Sequence, residues 1–316
     1  MSSGDQAGAV TIVGAIGFDD IATPTACVRG VLGGSASYAA LAASVLGPVH
    51  VVSVVGADAP PEWLARLAGR GIDVSGVQVA PGPSFHWSCR YHDNLEDRAT
   101  VFSRPGVFRE TPLQVPEAAA GASHVFLTAS DASQNWAAIR QLGDRRVTML
   151  DTIEGEIRLH REALLETIGE SDIVSINASE ARLLIGAGEG MPGDAVARAT
   201  LALLMDRGAR TLLLKHGPGG VTIADGEGLR RVGAVAEVGV VDPTGAGDSF
   251  AGANLSALAA GAGLDEAVRW GCATASFAVE AFGPEGLWAL AARDVERRAA
   301  MIAPGTIACA EGGGVG

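Results

Sequence analysis

The chain has 316 residues, 48% of them hydrophobic and 19% charged, a balance that suits a folded protein with a sizeable core and excludes a disordered one. Its 23 basic and 36 acidic residues give a net charge of −13, which argues against nucleic-acid or anionic-membrane partners and for a small soluble ligand held in a local pocket. Four scattered cysteines, Cys27, Cys89, Cys272 and Cys309, form no CxxC pair, the N-terminal MSSGDQAGAV lacks signal-peptide character, and no apolar run reaches the roughly 18 residues of a membrane span, so a cytoplasmic location is expected.

In chain order, AVTIVGAI (9–16) reads as the first strand, residues 18–32 carry no helical period, and 36–46 reads as a helix. A second strand at 49–56 and a helix at 61–70 follow. SFHWSCRYHD (84–93) then alternates, with Phe85, Trp87, Cys89 and Tyr91 on one face and Ser84, His86, Ser88 and Arg90 on the other, the pattern of a half-buried strand foreign to a central parallel sheet. Strands at 124–129, 146–151, 172–177 and 211–216 alternate with helices at 132–142, 159–169, 178–185 and 194–208. GGVTIAD and LRRVGAV around the turn DGEG read as an edge hairpin, and EGGGVG (311–316) as a frayed tail. This order predicts an α/β fold, a doubly wound and mainly parallel sheet flanked by helices, with a small antiparallel β lid. Residues 1–17, 36–82 and 108–316 are expected to form the core, and 18–35 with 83–107 the lid.

The stretch VVDPTGAGDSFAGA (240–253) carries the chemistry. A strand ending near Val241, a turn of tiny residues and a helix starting near Asp248 aim backbone N–H groups at one point, and Gly245, Ala246 and Gly247 let an anion come close. A carboxylate at Asp248 is out of place in a plain anion site. It makes sense where a hydroxyl loses a proton as it attacks a phosphoryl group. An αL turn with an aspartate cap is the ordinary alternative.

DPTGAGDSFAGA resembles the C-terminal signature of the ribokinase-like, or PfkB, family of carbohydrate and nucleoside kinases, and LGGSASYAALAASVLG (32–47), NASE (177–180) and KHGPGG (215–220) resemble further family motifs in the family's order. The resemblance implies a ribokinase-like fold, ATP as phosphoryl donor and Mg²⁺. It makes Asp248 the base, Gly245, Ala246 and Gly247 the anion hole, and Asn177 and Glu180 the organisers of Mg²⁺ through water, for which a helix cap is the rival explanation. Lys215, Gly217 and Gly220 would form a loop over the nucleotide, although a plain hairpin uses the same glycines, and adenine would lie against 274–282. Asp242 and Thr244 match positions that hold a monovalent cation such as K⁺ in some members.

At the acceptor end, the resemblance makes Asp19 the hydroxyl-binding carboxylate and Gly33 and Gly34 the turn between lid and core. Gly17 and Tyr38 stand where ribokinases have ribose-binding asparagines, Ser35 replaces a lysine and TAS (128–130) offers no acidic partner, which argues against ribose itself. Tyr38 either faces the substrate or fills the space an amide would leave. Arg90 and Arg104 either contact phosphate or substrate hydroxyls, or are solvated surface groups. The aromatic face of 84–93 either covers a nucleobase or packs within the lid or across a homodimer. No GxxxxGK[ST] is present, the GxGxxG at Gly188, Gly190 and Gly193 contains Pro192 and follows a helix, and strand periodicity sets Cys89 opposite His86 and His92, which argues against zinc. The sequence therefore points to a kinase for a sugar or sugar-like polyol, with a nucleoside kinase as runner-up and a non-catalytic carbohydrate sensor as the reading from another class.

Overall fold

The computed structural model describes residues 8–144, 147–303 and 306–307; the tail 311–316 and Cys309 lie outside the described residues. The strands are β1 (Val10–Val13), β2 (Gly17–Ala22), β3 (Cys27–Gly33), β4 (Val49–Gly56), β5 (Ile72–Ala80), β6 (Phe85–Tyr91), β7 (Arg98–Arg104), β8 (His124–Leu127), β9 (Val147–Asp151), β10 (Ile173–Asn177), β11 (Thr211–Lys215), β12 (Val221–Asp225), β13 (Gly228–Val232) and β14 (Thr306–Ile307). The helices are α1 (Ser35–Ala43), α2 (Pro61–Gly69), α3 (Val107–Glu110), α4 (Glu117–Ala120), α5 (Ala132–Ile139), α6 (Glu154–Leu159), α7 (Arg161–Gly169), α8 (Ala178–Ile185), α9 (Gly193–Arg207), α10 (Ala246–Ala259), α11 (Leu264–Ala278) and α12 (Ala292–Ala299).

Ten strands form one sheet in the order β14-β13-β12-β11-β10-β9-β8-β1-β4-β5. From β5 to β11 all neighbours run parallel, while the β12–β13 hairpin and β14 are antiparallel at one edge. The parallel strands are buried on both faces, as their continuous apolar runs require. One layer packs α1, α10, α11 and α12 residues such as Leu41, Phe250, Val268 and Val295 on the sheet, and the other packs Ile139, Leu164, Leu184 and Leu204 of α5, α7, α8 and α9. The chain winds from β1 to β5 in one direction and from β8 to β11 in the other. The order therefore reverses at β1, where open α/β sheets hold their ligands beyond the carboxyl ends of the strands. Strand β5 went unforeseen because its polar residues interrupt the apolar run.

The second sheet has the order β3-β2-β6-β7. It is not wholly antiparallel, as the sequence suggested: β2–β3 and β6–β7 are antiparallel hairpins, but β2 and β6 pair in parallel. Both strands leave the carboxyl edge of the main sheet in the same direction, β2 after β1 and β6 after β5, so side-by-side pairing is parallel. Gly34 joins this sheet to α1 at φ +83, and a Cβ there would stand 2.4 Å from the Ala15 carbonyl oxygen. Only glycine fits that junction.

Candidate active site

The carboxyl ends of β8, β9, β10 and β11 and the first turn of α10 converge at the order reversal. The turn before α10 is pinned by Asp242, whose Oδ1 accepts the Thr244 N–H at 2.9 Å and whose Oδ2 accepts the Gly283 N–H at 3.0 Å. Gly245 then takes φ +75 above the ring of Tyr38, where a Cβ would be 2.1 Å from Cδ1. Helix α10 can sit this centrally because its residues are small: a Cβ on Gly252 would meet the Ala39 carbonyl oxygen at 2.3 Å. The first N–H groups of a helix have no intrahelical acceptor. At α10 these are the N–H groups of Ala246, Gly247 and Asp248, of which Ala246 makes a long 3.3 Å bond to the Pro243 carbonyl.

Asp248 lies in that first turn, with Oδ1 enclosed and without a hydrogen-bond partner. Burial pushes its carboxyl up to about 7, the Asp151 charge adds to this, and Lys215 and Arg98 oppose it. Lys215 ends β11 and pairs with Asp151 at the end of β9. Burial would strip the Lys215 proton, but Asp151 and Glu180 outweigh it and hold the ammonium above the ordinary lysine value. Lys215 is thus at the base of the site, beside Gly247, rather than in a loop over it.

Asn177 and Glu180 form a full capping box on α8: Asn177 Oδ1 accepts the Glu180 N–H and Glu180 Oε2 accepts the Asn177 N–H, both at 2.9 Å. The capping explanation accounts for one Glu180 oxygen. Burial pushes this carboxyl up to about 7 against Lys215, with Asp151 reinforcing. The Glu180 oxygen that the cap leaves free offers the hard oxygen chemistry that Mg²⁺ takes. Among the described residues, no group of three or more His, Cys, Asp or Glu is arranged to hold a metal by itself, so phosphate and water oxygens would have to complete the shell. Each Asp242 oxygen accepts one backbone N–H, which fixes the turn.

On the acceptor side, Asp19 is buried against Gly33, where a Cβ would stand 2.0 Å from its Cγ. Burial pushes its carboxyl well above the usual range while the Gly34 N–H opposes, and Asp242 and Asp248 add to the rise. The Tyr38 hydroxyl is buried without a partner, and burial, reinforced by Asp19 and Asp242, raises its pKa. Tyr91 reaches from the lid to Thr244, hydroxyl to hydroxyl at 3.1 Å.

A bulge between Ser88 and Cys89 decides which lid arginine joins the site. Before it His86 pairs with Arg104 and Ser88 with Phe102; after it Cys89 pairs with Thr100 and Tyr91 with Arg98. Arg104 therefore lies over the Phe102 ring on the His86 face, away from the site expected for it. Arg98 instead shares the Tyr91 face, partly exposed, 5.3 Å from the Trp87 ring centre and within electrostatic reach of Tyr91, Glu180 and Asp248. Arg98 and Asp151 are the site residues that motif reading missed. Arg90 is exposed, and the His86 ring packs on Phe102 while Cys89 is on the opposite face. On the nucleotide side Gly217 turns at φ +54 in open space, whereas Gly220 is demanded by the hairpin, since a Cβ there would meet the Val232 carbonyl oxygen at 2.1 Å. Thr274 is buried and donates to the Trp270 carbonyl, so it presents nothing to a base.

Comparison with known proteins places this geometry. The family described as pfkB family carbohydrate kinase matches residues 8–288. The chain is 29% identical to the cytidine kinase of Thermococcus kodakarensis over 280 residues, covering 87% of this chain and 97% of that one. Among solved structures, a Burkholderia thailandensis nucleoside kinase in complex with inosine superposes with a TM-score of 0.77 at 21% identity over 92% of this chain and 97% of the other. Arabidopsis thaliana ribokinase complexed with ribose and ATP superposes with a TM-score of 0.75 at 21% identity over 92% and 98%. At that identity the structural likeness speaks for the fold.

Proposed function

Because the chain belongs to the pfkB family of carbohydrate kinases, and so is a phosphotransferase that takes ATP and a small molecule, we propose that its acceptor is a ribonucleoside, the runner-up of the sequence reading. The observation that carries this is the make-up of the lid face turned towards Asp19 and Thr244. It is built from Ile21, Trp87, Cys89 and Tyr91, with Val28, Val31 and Phe282 against them. A free hexose or cyclitol presents hydroxyls all round and needs a polar partner for each, because a buried unpaired hydroxyl is costly. Here a single carboxylate, Asp19, stands beside an apolar and aromatic wall. That suits a ligand with one diol edge and one planar, weakly polar part. The match along the length of a cytidine kinase supports the same choice.

In this reading Asp19 accepts the diol, and the primary hydroxyl of the ribosyl group is presented to Asp248. Asp248 takes its proton as the oxygen attacks the γ-phosphorus; the bond from phosphorus to the β-phosphate oxygen breaks and ADP leaves. A carboxyl raised to about 7 is matched to that work near neutral pH. The N–H groups at Gly245, Ala246 and Gly247 receive the charge on the phosphoryl oxygens. Mg²⁺ held by Glu180 through water, with Asn177 fixing that carboxylate, would neutralise the donor phosphates. Gly217 gives the donor room beside β12.

ADP release measured across a panel of nucleosides, free pentoses, hexoses and cyclitols tests the assignment. Turnover on a nucleoside at least tenfold above any free sugar is expected, and Asp19→Asn should raise the acceptor KM strongly, since it weakens charge-assisted hydrogen bonds worth about 1.5–3 kcal/mol each. A panel in which free sugars turn over fastest would return the assignment to the polyol reading.

A further inference from the structure

Lys215 is the only lysine in a chain whose other 22 basic residues are all arginine. Its side chain is 15% exposed, and the carboxylate it pairs with, Asp151, is 3% exposed. The two residues end strands on either side of β10, so the pair spans the carboxyl end of that strand. Asp151 is itself fixed, because its Oδ1 accepts the Thr152 N–H at 2.8 Å while Oδ2 takes the ammonium. The ammonium abuts the glycine turn: a Cβ on Gly247 would lie 3.2 Å from Lys215 Nζ.

This arrangement contributes little as a stabilising device, since burying an ion pair costs desolvation that its attraction only partly returns. Its chemistry is more informative. An ammonium has three donors, and one of them is committed to Asp151. The remaining two sit beside the backbone N–H groups of the α10 turn, where an anion would be received. A guanidinium at the same place would be planar and bulkier, and would occupy the space next to Gly247 instead of leaving it to a ligand. A lone buried lysine would shed its proton. Asp151 prevents that.

We propose that Lys215 is the cation that stabilises the phosphoryl group in flight beside the Gly245–Gly247 turn, and that Asp151 is the positioning residue that holds it there. The inference rests on the kinase reading and extends it. Lys215 donates hydrogen bonds to the phosphoryl oxygens throughout and transfers no proton, and Asp151 touches only Lys215 and the backbone.

Lys215→Met keeps the side-chain length without the charge. It is expected to fold but to melt several degrees below the wild type, because Asp151 loses its partner, while kcat measured at a temperature where it is folded falls by about 10²–10³-fold, the range for losing one donor to transition-state charge. Lys215→Ala leaves room for a small amine, so added ethylammonium should restore turnover in a saturable way. Asp151→Asn should also lower kcat, with a signature that a packing defect would not give. The charged groups facing Lys215 are Asp151 from β9, Glu180 from α8 and Asp248 from α10. Asp151 is the one bonded to the ammonium, so without its charge the buried lysine sheds its proton at lower pH and the alkaline limb of the pH–rate profile moves down, a limb that Lys215→Met does not have. Near-normal kcat in Lys215→Met, no response to ethylammonium in Lys215→Ala, or an unmoved limb in Asp151→Asn would each overturn the proposal. ATP consumption by the wild type decides the kinase reading separately, since this inference is judged on ratios of variant to wild type.

Discussion

Replacing Asp248 with asparagine should slow the chemistry by about 10²-fold or more and, at alkaline pH, make the protein more stable. The carboxyl has an ordinary value of 3.8 and is raised in the folded chain to about 7, by burial first and Asp151 second. Below the lower value both folded and unfolded chains hold the proton and the residue costs nothing. Between the two values the unfolded chain ionises first, so stability falls as pH rises, and above the upper value the whole cost is present. A shift of this size is worth at most about 4 kcal/mol at 1.36 kcal/mol per unit. Lys215 and Arg98 lose a counter-charge in the variant, so a realised gain of about 1–2 kcal/mol is expected, or roughly 2–4 °C in Tm for a chain this long. Scanning calorimetry at about pH 5 and about pH 8 should show the variant's advantage growing by about twofold towards the higher pH, alongside a fall in turnover of about 10²-fold or more. Equal Tm values at both pH values, or turnover that survives, would refute the reasoning.

Glu180→Gln keeps the capping box, because an amide oxygen can still accept the Asn177 N–H. Melting at neutral pH should not fall, since the buried charge is removed, while the Mg²⁺ concentration for half-maximal rate rises several-fold, and an unmoved Mg²⁺ titration would reduce Glu180 to a cap. Tyr91→Phe removes the 3.1 Å contact to Thr244. At about 1 kcal/mol for such a bond, amide exchange in β6 and β7 should quicken about fivefold with little change in Tm, and unchanged protection would mean the contact does not hold the lid. Gly245→Ala sets a Cβ into the Tyr38 ring at φ +75. It should cost about 1–2 kcal/mol for the left-handed backbone and about 1–3 for overpacking, read as a loss in urea midpoint that Tyr38→Ala relieves only in part.

The alternation of apolar strands with helices was legible in the sequence because buried parallel strands leave continuous runs. Helix α8 and strand β4 have the bounds the pattern predicted. The turn before α10 could be read because its chemistry is local, small residues and a carboxylate within one helical turn, but the strand expected to end near Val241 is absent, since β13 stops at Val232, and the helix begins at Ala246 rather than near Asp248. What escaped was fixed by pairing across the fold. No local signal marks the one-residue bulge that exchanges Arg104 for Arg98 on the site-facing side of β7. Asp151 and Lys215 are brought together by the strand order, which sets β9 and β11 on either side of β10. The lone lysine was visible in the composition, and its scarcity was the clue that motif matching did not use.

The parallel pairing of β2 with β6 bears on how the chain acquires its acceptor site during folding. These strands are separated in sequence by β3, α1, β4, α2 and β5, and they can meet only once β4 and β5 have docked beside β1. Pairings of such long sequence separation are slow, because the entropy of closing the intervening chain is lost before any contact repays it. The half of the protein that holds the donor phosphates can therefore consolidate while the acceptor half is still unformed. During refolding, protection of β8–β11 amides should precede that of β2 and β6, and nucleotide binding should return before phosphorylation does.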